Sequence, residues 1–120
     1  MNIDKLEIWK LSYQICIDIY KITQLFPKEE IYGLISQIRR AAVSIPSNIA
    51  EGYKRNSRKE FEHFLYISLG SIGEIETQLR ISKDLSYIKS EIFEHFIIKL
   101  SDLEKMIHGF IRGLKKREAE

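Results

Sequence analysis

Only one cysteine (Cys16), two prolines and one tryptophan occur in this chain of 120 residues. With one cysteine, no disulfide can close within the chain and no thiolate metal cluster can form in one subunit, so a reducing cytoplasm is the natural setting. Proline is confined to Pro27 and Pro46 and glycine to six positions, which leaves long stretches free to run as helices. The N-terminus has no basic region followed by an apolar core, and no unbroken apolar run approaches the about 20 residues a bilayer crossing needs. Neither export nor membrane insertion is expected. A large excess of one charge is lacking as well, since the formal net charge is +2. At 44% hydrophobic and 30% charged residues the composition is globular rather than disordered, and the length suits a single domain over residues 1–120.

What is present is helical periodicity. A first helix is predicted from Asp4, as N-cap, to Leu25, stopped by Phe26-Pro27. Its apolar residues form two stripes, Trp9, Tyr13, Cys16 and Tyr20 beside Ile8, Ile15, Ile19, Ile22 and Phe26. Together they are too wide for one core, so one stripe is expected to face the bundle and the other a second subunit. A second helix is predicted from Glu29 or Glu30 to Lys54, with Pro46 inside it as a kink or, in the competing reading, a full break. Gly52 to Asn56 reads as the next turn, and Ser57 with Glu60 as a capping box opening helix three. There Phe61, Leu65, Ser68, Ile72, Ile75, Leu79 and Ser82 mark a packed seam, while Gly70 and Gly73 suggest close approach of another helix. After Ser86 to Ser90, helix four repeats apolar residues at Phe93, Phe96, Leu100, Leu103, Ile107, Phe110 and Leu114, and is expected to fray at Lys115, Lys116 and Arg117. The predicted fold is all-α, an up-and-down antiparallel four-helix bundle.

Charge is unevenly spread. Between Ser36 and Lys59 six cations, Arg39, Arg40, Lys54, Arg55, Arg58 and Lys59, meet one acid, Glu51, so this window carries +5 and the remainder −3. Such a patch suits phosphates, with Tyr53 as a ring for stacking; a solvated helix face and a charged turn are the plainer explanation. A polar line on helix two, Gln37, Arg40, Ser44, Asn48 and Glu51, has a counterpart in Glu74 and Gln78 on helix three. The two are expected to meet in a hydrogen-bonded network inside the bundle or at a subunit contact; a ligand site and plain exposure are the alternatives. Catalysis finds little support. Glu60 and His63 match a Glu-x-x-His metal motif once, but Ile92 and Lys105 stand where a second glutamate would precede His95 and His108. Cys16 lies in an apolar stripe, and no serine has a recognisable base. No catalytic residue, cofactor or metal is assigned.

One stretch is more specific. Phe26-Pro27, Tyr32-Gly33-Leu34, Gln37-Ile38-Arg39-Arg40-Ala41-Ala42 and Ser44-Ile45-Pro46-Ser47-Asn48-Ile49-Ala50-Glu51-Gly52 resemble the hallmark of the four-helix-bundle proteins encoded in intervening sequences of bacterial 23S ribosomal RNA genes. The likeness continues through Ser57, Phe61, Phe64-Leu65, Gly70-Ser71, Glu74 and Gln78-Leu79 and covers almost the whole chain. The resemblance implies a homo-oligomeric ring, a pentamer, and a relationship to the accessory variability proteins of diversity-generating retroelements, basic pentamers that bind nucleic acid and a reverse transcriptase. The expected function is a non-enzymatic oligomeric bundle binding structured RNA or other nucleic acid through the six cations. A protein-interaction scaffold with no nucleic-acid role is the alternative.

Overall fold

Where helices begin and end is decided by a few local groups in the computed structural model, which describes residues 2–119. Four α-helices result: α1 (Glu7–Thr23), α2 (Leu34–Lys54), α3 (Arg58–Asp84) and α4 (Ser90–Ala119). Asp4 does not cap α1. It lies in a short 3-10 turn, Ile3–Lys5, and Leu6 occupies the N-cap without a side-chain hydrogen bond. After Thr23 the chain tightens through 3-10-type bonds from Leu25 N to Ile22 O and from Phe26 N to Thr23 O, so Pro27 meets an already finished helix. The acids expected to open α2 sit one turn earlier, in a second 3-10 turn, Lys28–Glu30. Glu30 still serves the helix, because its Oε1 accepts a hydrogen bond from Leu34 N at 3.2 Å and satisfies a free backbone donor.

Helix α2 runs unbroken through Pro46, which excludes the full break. It also continues past Gly52, leaving only Arg55 to Ser57 as the turn. Ser57 caps α3 by accepting from Glu60 N at 3.2 Å, and the Glu60 carboxylate is engaged by Arg55. At the other end of α3, Ser86 takes a positive φ of 64°, and bonds from Ser86 N to Lys83 O and from Tyr87 N to Ser82 O close the helix in a Schellman motif.

Each helix packs on its neighbours in sequence and α1 closes against α4, giving the up-and-down bundle, 51 Å in its longest extent. All seven expected seam positions of α3 are buried and six of the seven on α4, where Phe110 is half-exposed and Ile111 is buried in its place. On α1 the stripe of Ile8, Ile15 and Ile19 is buried and Cys16 joins it, whereas Tyr13 and Tyr20 remain exposed. Burial pushes the Cys16 thiol pKa up, as fits a packed apolar group.

The glycines reverse an expectation. A Cβ on Gly70 or Gly73 would meet nothing within 4 Å, so no helix of this chain approaches there. The close crossing lies instead at Gly52, where a Cβ would stand 2.8 Å from Phe61 Cδ1 and 2.9 Å from Phe64 Cβ. Absence of a side chain at that point lets α2 seat against the start of α3.

Candidate nucleic-acid interface

The six cations do not form one patch. Arg39 spans to α1: its Nε donates to Thr23 Oγ1 at 2.8 Å and its Nη2 to Tyr20 O at 3.3 Å, with the guanidinium 4.7 Å from the Tyr20 ring centroid. It acts as a strut between helices. Arg40 points the other way and lines a cavity between α2 and α3. Lys54 lies fourteen residues further along α2, which at 1.5 Å per residue is about 21 Å away.

The remaining cations gather at the end of the bundle where α2 finishes, α3 begins and α4 finishes. Arg55 is largely neutralised there, donating to Glu51 at 3.2 Å and Glu60 at 3.4 Å and resting 5.1 Å from the Phe64 ring centroid. Arg58 reaches across to α4, its Nη1 donating to the Arg117 carbonyl at 3.2 Å, where it also complements the negative end of that helix. Lys54 and Lys59 are exposed, and Asn56, Ser57, Arg58, Lys59 and Glu118 line an open recess of about 570 Å³.

Sequence reasoning missed the other half of this end. α4 does not fray at Lys115, Lys116 and Arg117 but stays helical to Ala119, bringing the Arg117 carbonyl to Arg58 and leaving these three cations exposed at that end. Lys115 Nζ donates to Tyr66 Oη at 3.1 Å, which raises its pKa further. The signal was present in the expected antiparallel order, which places the end of the fourth helix beside the start of the third; the expected fraying hid it. Glu62 lies beneath the cluster, 7% exposed and facing Glu118. Burial first, then the hydrogen bond to Glu118 and repulsion from it, push the Glu62 pKa up, against the pull of Lys115 and Lys59.

The two polar lines meet, and only part of them closes into a network. Asn48 Nδ2 donates to Ser44 O at 2.8 Å and Ser44 Oγ at 2.9 Å, and Ser71 Oγ bonds Ser44 Oγ at 2.8 Å. Nearby, Ser68 Oγ donates to Ile45 O at 3.2 Å. Gln37, Arg40, Glu74 and Gln78 instead line the cavity, and buried Gln78 Oε1 has no hydrogen-bond partner. Glu51, at the end of the line, pairs with Arg55. His63 and His95 are exposed and each stacks edgewise against the phenylalanine next to it in sequence. Among the described residues no helix is long and apolar enough to cross a membrane.

Fold and site together define an all-α antiparallel bundle with cations gathered at one end. The chain belongs to the 23S rRNA-intervening sequence protein family, whose model matches residues 4–109. A similar solved structure is that of a protein of unknown function from the S23 ribosomal protein family of Bacteroides thetaiotaomicron VPI-5482. It is 25% identical, the match covers 87% of this chain and 97% of that one, and the TM-score is 0.77. No curated protein matches. The family match stops before Lys115, Lys116 and Arg117, so part of the basic end lies outside it.

Proposed function

We propose that this chain is a non-enzymatic, self-assembling helical bundle that binds structured RNA or another nucleic acid, acting in the cytoplasm. The observation that carries the reading is the convergence of Lys54, Arg58 and Lys59 with Lys116 and Arg117 at one end of the bundle, joined by the Arg58 to Arg117 hydrogen bond. Phosphate oxygens are the natural occupants of such a surface, because releasing their counterions favours binding whatever the sequence. In this reading Arg39 and Arg55 drop out as contacts, since each is committed to groups of its own chain.

Self-assembly, as a ring of five in this proposal, is supported by apolar surface the bundle leaves uncovered. Tyr13 and Tyr20 on α1, Leu25 after it at 76% exposed and Ile98 on α4 at 61% exposed are open to solvent, and on another side of α1 Ile22, Leu25, Ile92 and Phe96 make up the apolar lining of a groove. A ring would repeat the basic end around one axis and multiply weak phosphate contacts. Kinship with the accessory variability proteins belongs to the same proposal.

A fluorescence anisotropy titration of a labelled structured RNA and a DNA of equal length, at low salt and at physiological salt, tests the reading. Saturable binding that weakens steeply with salt supports it. Absence of binding even at low salt removes it, and a protein partner that co-purifies after nuclease treatment would then favour the scaffold alternative.

A further inference from the structure

The cavity between α2 and α3 has features of its own, about 21 Å along the helix from the basic end. It measures about 290 Å³ and is lined by Gln37, Arg40, Ala41 and Ser44 from α2 and Glu74 and Gln78 from α3. Its floor is fixed, because Asn48 and Ser71 hold Ser44 in place. Its walls are not paired with each other: among the described residues neither Arg40 nor Glu74 has an ion-pair partner. Gln78 is 9% exposed, yet its Oε1 accepts no hydrogen bond. A buried acceptor left unmet costs about 1–3 kcal/mol, which a donor from outside the chain would recover once the Gln78 amide turns to present its oxygen to the cavity.

The lining restricts what fits. An inorganic anion would satisfy Arg40 but face the Glu74 carboxylate, and a lone cation would meet the reverse problem. An apolar molecule would strip water from Arg40, Glu74 and Gln78 and return nothing. A nucleobase would find no aromatic platform, since Ala41 is the sole apolar residue in the lining. A molecule bearing both charges meets every group: its carboxylate lies against the Arg40 guanidinium in a bidentate pair, and its ammonium donates to Glu74 and to Gln78 Oε1. The volume of about 290 Å³ admits a molecule the size of a free amino acid.

We propose that the α2–α3 cavity binds a small zwitterion of the α-amino acid class, with Arg40 receiving the carboxylate and Glu74 together with Gln78 Oε1 receiving the ammonium. The site is independent of nucleic-acid binding and stands or falls separately from it.

Calorimetric titration of the full chain with each of the twenty protein amino acids tests this, using as controls the corresponding amines without carboxylate, the N-acetylated acids, inorganic phosphate and guanosine monophosphate. At least one amino acid is expected to bind saturably at millimolar concentration or better, with both single-charge analogues about tenfold weaker or more, as the loss of a charge-assisted hydrogen bond requires. Arg40→Gln and Glu74→Gln, both at exposed side chains, should retain the wild-type helical spectrum and each weaken binding by a similar factor. Gln78→Leu should do the same. Failure of every amino acid to bind, equal binding of a single-charge analogue, preferential binding of phosphate or the nucleotide, or undiminished binding by the Arg40→Gln/Glu74→Gln double variant would each overturn the proposal.

Discussion

Gly52 and Gly70 show how far one missing methyl group depends on its surroundings. Alanine at Gly52 would drive Cβ into the Phe61 ring and the backbone-proximal Cβ of Phe64, neither free to move far, so we expect a loss of about 1–3 kcal/mol. Alanine at Gly70 meets open space and gains helix propensity, so we expect up to about 1 kcal/mol of added stability. Urea denaturation of the two variants checks both signs. Glu62 makes a third residue-scale case, through pH. Its raised pKa means that the folded protein holds the proton more tightly than the unfolded chain does. The resulting stabilisation is complete in acid, below the unfolded carboxylate value, and is lost as pH rises through the folded pKa. Glu62→Gln should therefore raise the melting temperature at neutral pH, with the gain vanishing below about pH 4. A gain that persisted unchanged into acid would contradict the assigned cause.

Whole helices were legible in the sequence wherever burial repeats with helical period. The α3 and α4 seams are buried because their spacing leaves one narrow face for the core, and the Ser57 cap follows from local chemistry, whereas α1 closes in 3-10-type bonds before Pro27 is reached. Errors fell where a tertiary contact outweighs local preference. The start of α2 is set by Glu30, which bonds Leu34 N with one carboxylate oxygen and Tyr87 Oη at 2.9 Å with the other, tying the α1–α2 connection to the α3–α4 connection. No periodicity announces such a partner 57 residues away. The same holds for Arg39, which reads as one of six candidate phosphate cations and serves as a strut to Thr23. Arg39→Met should lower stability by about 1.5–3 kcal/mol, the worth of a charged hydrogen bond, seen as faster amide exchange in α1. It should leave nucleic-acid affinity unchanged.

At the scale of the molecule, the candidate interface was only half legible. Lys54, Arg58 and Lys59 stand out as a run, whereas Lys116 and Arg117 join that end because α4 stays helical where fraying was expected, in the antiparallel order the sequence implied. The apolar excess of α1 was readable in the sequence, and the structure leaves Tyr13 and Tyr20 exposed on one side of the helix, with the groove beside Leu25 a separate surface. Charging these exposed positions with Tyr13→Glu and Leu25→Glu should reduce the proposed assembly, weighed by light scattering, to single folded chains. An unchanged mass would place the contact elsewhere. The central claim, that one end of the bundle holds phosphates, is tested most directly by the salt dependence of RNA affinity in two variants. Replacing Lys54, Arg58 and Lys59 with glutamine should flatten the slope of log affinity against log salt by about two to three units, while Arg39→Met leaves the slope as in the wild type. Equal slopes in the wild type and the triple variant would contradict it.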